Sequence, residues 1–429
     1  MNSAGMASLN PNNSSASSAQ PGNERWKWVW LGLGLTISLI AFFLFNLAFG
    51  SALSSLLELL TPNGDSESSF SLWLLASGFF TVGLLLVPTA LLAFYRFLGW
   101  NPPAWLVALR FPPLAILLLT YPLILLGGSW LSTQTLLAYL FLPLFHIAAI
   151  GIPIAITLNI SLKGIKSVSP QRKWGALSVG LTLSPFLIFI LEILAFIFPL
   201  AILAFWVSQD PQRQSHLLQL SETLRQPSAN PQVVLNEVQP YLNEPAVILT
   251  LIFFAALVVP LIEEAVKPLG VWLLYGRMRG ASDGFVGGAL CGAGYALLES
   301  FLLGSSKSAW LFAVLGRSGT AAIHIFTSAL IGAALTIAWQ RRSVLRLILA
   351  YLIGVFFHGV WNGFAILSAL CSVSPSEEGF WSMPYTQNLA SIAPLAILLL
   401  ACLALFGLWS FNQQIRKAQG KIGSITNKG

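Results

Sequence analysis

Ten long apolar runs constrain this chain more than any other feature of its sequence. Each is long enough for a helix that crosses the hydrocarbon core of a bilayer, which takes about 20 residues. The runs are continuous rather than alternating, so they indicate helices and not barrel strands. They cover residues 28–57, 70–95, 111–131, 135–160, 175–207, 246–275, 284–304, 314–339, 346–371 and 389–411. We predict an all-α fold: a polytopic membrane helix bundle of about ten transmembrane helices.

The composition excludes the main soluble classes. Only 9% of the 429 residues are charged, whereas soluble proteins carry about 25%. A soluble enzyme, a disordered protein and a coiled coil are therefore excluded. Three cysteines are too few and too scattered for a disulfide framework or a cysteine-based metal site.

The distribution of Lys and Arg predicts the orientation. With the N-terminus in the cytoplasm, 17 basic residues fall inside and three, namely Arg213, Arg225 and Lys307, fall outside. This bias favours ten spans with both termini cytoplasmic. The basic residues lie in short clusters beside apolar runs, so the net charge of +7 indicates contact with the lipid bilayer and no nucleic-acid partner.

Ionisable residues inside the spans are concentrated in segments six to nine. Each charge at a helix centre costs at least about 2.5–3.5 kcal/mol on insertion scales, so a partner or a function is expected. The first five segments hold only Glu192 and His146, which we interpret as structural or cavity-lining. Segments six to nine hold Glu263, Glu264, Lys267, Glu299, Arg317, His324, His358 and Asn362.

Helical spacing places two carboxylates beside a lysine in segment six. Glu263 and Lys267 form an i,i+4 pair, and Glu264 and Lys267 form an i,i+3 pair. Two adjacent carboxylates in a low dielectric do not both ionise easily, and Lys267 can neutralise one of them. The other is then a candidate general base, although a purely structural ion pair is about equally consistent with this spacing.

Segments seven to nine each present a polar or glycine-lined face. Gly284, Gly288 and Gly292 recur every fourth residue and predict close approach of another helix backbone, with Tyr295 and Glu299 on the same face. Further polar faces carry Arg317 and His324 in segment eight, and His358 and Asn362 in segment nine. Glu299 could simply bond Arg317, and Asn362 could hold helices together. The coincidence on four successive spans favours a functional site.

These residues resemble the motifs of the PrsW family of intramembrane proteases. Glu263-Glu264-Ala265-Val266-Lys267 matches its EExxK motif, and Tyr295 to Glu299 matches Phe-x-x-x-Glu with Tyr for Phe. His324 follows, and His358 to Asn362 matches His-x-x-x-Asp/Asn. The resemblance covers about residues 246–371. The PrsW family is distantly similar to CAAX prenyl endopeptidases and bacteriocin-processing proteases, which carry an EExxxR motif instead of EExxK.

The resemblance implies hydrolysis of peptide bonds of a membrane protein in or near the membrane. The best-known family role is cleavage of a membrane-spanning anti-sigma factor, and the location it implies is the cytoplasmic (plasma) membrane of a bacterium, as a multi-pass protein. The resulting division of the chain is a disordered cytoplasmic tail (1–27), a five-helix region of unknown role (28–207), an extracytoplasmic loop (208–245), a PrsW-like catalytic core (246–371), a second extracytoplasmic loop (372–388), a last transmembrane helix (389–411) and a basic cytoplasmic tail (412–429).

These residues predict a mechanism in which a glutamate activates water in a water-filled cavity. Either carboxylate of the Glu263–Glu264 pair would be the general base, with its charge tuned by Lys267. His358 and Asn362 would orient the water or stabilise the oxyanion. The remaining members of the predicted site are Glu299 and His324, with Tyr295 and Arg317 in support.

Two questions stay open at the level of sequence. His324 and His358 with one or two glutamates would also make an N/O ligand set for Zn²⁺, so metal dependence is undecided. The same buried groups could form the proton relay of a transporter or channel, although no inverted repeat is visible. A third interpretation is a non-catalytic scaffold or receptor, in which the buried pairs serve helix packing.

Overall fold

The computed structural model describes residues 21–61, 66–107, 109–134, 136–166, 169–225, 238, 240–241, 244–302, 306–373 and 384–426. Helices dominate this part of the chain, and it contains no strand. In order along the chain they are α1 (Pro21–Leu60), α2 (Ser66–Leu98), α3 (Ala104–Val107), α4 (Leu114–Ser132), α5 (Leu136–Leu162), α6 (Pro170–Leu181), α7 (Leu183–Ser208), α8 (Pro211–Arg225), α9 (Pro245–Phe253), a π-helical turn (Phe254–Val258), α10 (Val259–Val266), α11 (Leu269–Trp272), α12 (Ala281–Leu302), α13 (Trp310–Arg341), α14 (Val344–Val373) and α15 (Pro384–Thr426).

The predicted number of spans is confirmed. Within the described residues, ten helical segments are long and apolar enough to cross a membrane. The fifth is made of α6 and α7, and the sixth runs from α9 through the π-helical turn to α11. The fold is therefore an all-α membrane bundle, while the cytoplasmic placement of both termini stays a prediction.

The helices extend beyond the predicted apolar runs at both ends of the chain. α1 begins at Pro21, inside the predicted N-terminal tail, because proline is well suited to a first helical turn. Residues 1–20 of that tail lie outside the described residues. α15 continues to Thr426, through most of the predicted C-terminal tail. Part of the second predicted extracytoplasmic loop, 374–383, also lies outside the described residues.

α12 and α13 form the enclosed centre of the bundle. A Cβ atom added at Gly284, Gly288 or Gly292 of α12 would collide with a backbone carbonyl oxygen of α13. The glycines thus let the two backbones touch, which confirms the role predicted for the glycine repeat. The opposite face of α12 packs on α6, where Gly294 meets the carbonyl oxygen of Leu177.

The outer helices expose large apolar side chains instead. Phe49 of α1 is 70% exposed and Leu119 of α4 is 73% exposed. Such surfaces are stable against lipid but not against water. The central helices, which carry the ionisable residues, are thereby surrounded by helices that face the bilayer.

The N-terminal helices are tied to this centre by a buried polar contact. Trp310 at the start of α13 donates its indole N–H to Nδ1 of His146 in α5, at 3.2 Å, and both residues are buried. His146 is therefore a structural acceptor, in agreement with its interpretation from sequence.

Candidate active site

Lys267 lies at the centre of the buried ionisable cluster. Its ammonium group donates hydrogen bonds to Oε1 of Glu264 at 2.8 Å and to Nδ1 of His324 at 2.7 Å, and it lies 3.3 Å from Nδ1 of His358. Oε2 of Glu263 is 2.7 Å away. The side chain is fully buried, so its charge has to be balanced within the cluster.

Each histidine of the cluster has a carboxylate of its own. Nε2 of His324 lies 2.7 Å from Oε2 of Glu299, and Nδ1 of His358 lies 3.0 Å from Oε1 of Glu264. Both contacts have the geometry of an imidazole N–H that donates to a carboxylate. Such a partner fixes the orientation and the tautomer of the ring. The two rings lie 5.1 Å apart and nearly perpendicular to each other.

Glu299 connects the buried cluster to a more open region. Its second oxygen, Oε1, lies 3.1 Å from Nη1 of Arg317. The side chains of Glu299 and Arg317 are 31% and 21% exposed, whereas that of His324 is 1% exposed. The alternatives considered for Glu299 are thus both realised, because it bonds Arg317 and also orients His324.

Glu263 and Glu264 each have a buried Oε2 atom that makes no hydrogen bond. Oε2 of Glu263 lies 2.7 Å from the Lys267 ammonium, which is the distance of an ion pair without the alignment of a hydrogen bond. Nε2 of His358 lies 3.9 Å from the same oxygen. Glu264 differs, since it is fully buried and its Oε1 serves both Lys267 and His358.

Tyr295 closes one side of the cluster. Its ring lies 5.1 Å from the ring of His324 in an edge-on arrangement, and the ammonium of Lys267 lies 4.9 Å from the Tyr295 ring centroid. The side chain also lies near Glu263. Tyrosine at this position therefore offers a hydroxyl that the phenylalanine of the family motif lacks.

The residues present suit a divalent cation. Glu263, His324 and His358 are buried and each offers one ligand atom, all within 4.8 Å of one another. One oxygen and two nitrogens form a set that Zn²⁺ accepts with a fourth position left open. The unpartnered Oε2 of Glu263 is a further sign of fit. The Lys267 ammonium contacts the same three residues, so it would compete with a cation held there.

Asn362 is the predicted site residue that the structure does not bring into the cluster. Its Nδ2 atom donates to the carbonyl oxygen of Ala255, at 2.9 Å. Ala255 belongs to the π-helical turn, where the regular pattern of backbone hydrogen bonds is interrupted. The asparagine therefore joins α14 to the sixth span, which is the structural alternative considered for it from sequence.

Glu192 is a residue at the site that sequence reasoning undervalued. It lies on α7, with its carboxyl group near that of Glu263. The sequence feature that could have indicated a role for Glu192 is that it is the only carboxylate within the first five predicted spans. The sequence could not show which of the later helices α7 touches.

Comparison with known proteins finds a family similarity in the part of the chain that holds the candidate site. Residues 228–387 match a family model described as PrsW family intramembrane metalloprotease. The matched segment includes α9 to α14 and hence all nine residues of the predicted site, and it excludes the first five spans. No curated protein and no solved structure gives a significant match to the chain.

Proposed function

We propose that this protein is a membrane-embedded peptidase that hydrolyses peptide bonds of a membrane protein, with Glu263 as the residue that activates water. The match of residues 228–387 to the PrsW family model supports this activity. The single observation that carries the assignment to Glu263 is that this glutamate, and not Glu264, groups with His324 and His358, with one ligand atom of each within 4.8 Å of the others. A carboxylate beside both histidines is placed to accept a proton from a water molecule held between them.

The neighbouring carboxylates serve the histidines instead. Glu264 holds His358, and Glu299 holds His324. Since each imidazole is oriented by its own carboxylate, the ring atoms that face Glu263 are preorganised for a substrate or a ligand. Lys267 balances the negative charge of Glu263 and Glu264, and Arg317 does the same for Glu299.

The proposed reaction begins with a water molecule next to Glu263. Oε2 of Glu263 accepts a proton from this water as its oxygen attacks the carbonyl carbon of the substrate peptide bond. Nε2 of His358, the ring nitrogen that does not bond Glu264, can accept a hydrogen bond from this water and orient it. Glu263 then returns the proton to the amine that leaves, which completes the hydrolysis.

We propose Zn²⁺ as the cation that this site takes. Glu263, His324 and His358 would hold it, and Glu263 would then be a ligand in place of the general base. When bound, a divalent cation polarises the substrate carbonyl and makes bound water more acidic. The observation that supports this is the buried Glu/His/His set, together with the metalloprotease description of the matched family.

The proposed substrate is a membrane-spanning regulator, such as an anti-sigma factor. The buried cluster is built from helices of the sixth to ninth spans, among outer helices with lipid-facing surfaces. Glu299 and Arg317 combine contact with the cluster and partial exposure. The supporting argument is that a chain within the bilayer can reach such a site without passing through bulk water.

The test is a cleavage assay with the purified protein in liposomes and labelled single-span peptides. We expect Glu263→Gln to lower kcat by about 10²–10⁴-fold, the contribution typical of a general base. Glu264→Gln should lower it by about 10–100-fold, because it acts through His358. Glu222→Gln, at an exposed carboxylate of α8, is the matched control and should cleave like the parent.

Two outcomes would overturn the proposal. Full activity of Glu263→Gln would exclude this residue as the base. Proton-driven solute uptake by the same liposomes without cleavage would favour the transporter alternative. Treatment with a chelator tests whether the reaction depends on Zn²⁺. If the parent keeps its activity in the chelator while Glu263→Gln is inactive, the mechanism uses the glutamate and water without Zn²⁺.

A further inference from the structure

A cavity of about 620 Å³ opens between α1, α2 and α5, in the part of the chain that precedes the matched segment. Its volume is that of an ordinary ligand pocket, which is about 300–1,000 Å³. All three helices belong to the candidate membrane spans, so the cavity opens toward lipid rather than toward water.

Small side chains make the surface concave at this place. Ala48 and Ala52, one turn apart on α1, line the cavity together with Ala76 of α2. The large rings of Phe49 and Phe80 stand beside them and are 70% and 50% exposed. The outer face therefore has a recess between rings, where a ligand is contacted from three helices instead of one.

The lining asks for an apolar ligand, because its polar atoms are already bonded. The hydroxyl of Ser77 donates to the carbonyl oxygen of Leu74, at 2.6 Å. The indole N–H of Trp73 donates to the carbonyl oxygen of Tyr139, also at 2.6 Å. The remaining lining consists of aliphatic and aromatic side chains. Such a wall makes favourable contacts with a hydrocarbon chain and offers nothing to a polar group.

A positive charge lies beyond one end of the cavity. The ammonium of Lys307 lies 5.3 Å from the ring centroid of Phe70 and 5.0 Å from that of Tyr139. Phe70 lies one turn before Trp73 on α2, and Tyr139 lies one turn before Pro143 on α5. Because Trp73 and Pro143 line the cavity, the ammonium is about one helical turn away from it.

That end of the cavity lies at the level of the membrane–water interface. Phe70 and Tyr139 belong to the first two turns of α2 and α5, and tyrosine and tryptophan are typical of this level. The main-chain N–H of Lys307 donates to Oε2 of Glu67, at 2.7 Å, which fixes the lysine beside the start of α2. Aromatic rings attract an ammonium without neutralising its charge.

We propose that this cavity binds one acyl chain of a phospholipid whose phosphate contacts the ammonium of Lys307. A phospholipid carries both features in the order that the structure requires, with the phosphate at the interface and the hydrocarbon chain deeper in the bilayer. The recess contacts the chain, and the lysine attracts the phosphate. The inference does not rest on the candidate active site, and it gives the region before the matched segment a lipid-binding role.

The experiment labels the full-length protein with a phospholipid that carries a diazirine in one acyl chain, present in trace amount in lipid nanodiscs. Mass spectrometry then measures the label on each peptide after illumination. We expect about fivefold more label at Trp73 than at Leu126 of α4, which is 70% exposed at a similar distance from the same end of the bundle. Fivefold corresponds to about 1 kcal/mol, the attraction of one lysine near the surface.

Two variants test the two parts of the site. Ala52→Trp fills the recess, and its matched control is Gly50→Trp, which adds the same ring to α1 where a Cβ atom meets open space. Lys307→Met removes the charge, and Lys163→Met is its control. Both variants should lower the label at Trp73 to the level of ordinary lipid contact, about fivefold, and both controls should label like the parent.

Four outcomes would overturn the proposal. Equal label at Trp73 and Leu126 in the parent would mean ordinary lipid contact only. Unchanged label in Lys307→Met would exclude the phosphate contact. Displacement of the label by a long-chain alcohol as well as by unlabelled phospholipid would mean that the chain alone is bound. Cross-links between the α1 helices of two chains would show that a second copy covers the cavity. If Ala52→Trp does not fold, the parent and Lys307→Met still decide.

Discussion

Replacement of Lys267 by methionine tests whether the ammonium holds the site together. Methionine is similar in length but removes a charge that lies 2.7 Å from Glu263 and 2.8 Å from Glu264. At an effective dielectric constant of about 20, each contact contributes about 6 kcal/mol of attraction. Most of this is offset by the desolvation of three charges, and the removal of one partner of a buried pair costs about 3–5 kcal/mol.

We therefore expect Lys267→Met to lower the free energy of unfolding by about 3–5 kcal/mol when a chelator is present. The measurement is denaturant-induced unfolding of the detergent-solubilised protein, followed by tryptophan fluorescence. Lys163→Met, at an exposed position after α5, is the matched control. The double variant with Glu264→Gln should regain part of the loss, because it also removes one of the uncompensated carboxylates.

A cation should replace the missing ammonium in this variant. Zn²⁺ at about 100 times its dissociation constant stabilises the folded state by about 2.7 kcal/mol, and Lys267→Met should bind it more tightly than the parent because competition from the ammonium is gone. The reasoning would be refuted if the variant unfolded like the parent under chelation. It would also be refuted if Zn²⁺ stabilised the parent and the variant equally.

Three further predictions concern the helices that build the site. Gly288→Ala should lower stability by about 1–3 kcal/mol, because its Cβ would collide with α13, whereas Gly316→Ala meets open space and should be neutral in the same unfolding assay. Glu299→Gln should lower kcat by about 10–100-fold in the cleavage assay, because His324 loses its carboxylate. Asn362→Leu should cost about 1–3 kcal/mol of stability, since the Ala255 carbonyl is left unpaired. A larger loss in kcat than in folded fraction would instead place Asn362 in the chemistry.

The site was predictable where it depends on spacing along one helix. Glu263, Glu264 and Lys267 lie on one face by the periodicity of the α-helix, and they do meet in the structure. Gly288 and its neighbours form a stripe by the same rule, and α13 packs on it. His324 and His358 were assigned by motif, and the structure brings both to Lys267.

The prediction was weaker where distant helices had to be matched. Asn362 lies one turn from His358, so helical periodicity placed both in the site. Its amide nevertheless bonds Ala255, because a π-helical turn in the sixth span leaves that carbonyl accessible. No local pattern in the sequence indicates the π-helical turn, since its residues are as apolar as those around it.

The apolar runs alone determined that this chain is a helical multi-pass membrane protein, with ten candidate spans among the described residues, because in lipid every backbone polar group has to be bonded within its own helix. The same constraint made its few ionisable residues conspicuous. Only the tertiary structure decided their pairing: which carboxylate serves which histidine, and that Glu263 lies beside both histidines. These outcomes depend on the packing of helices that lie far apart in the chain, and a hydrophobic run specifies a span without specifying its neighbours.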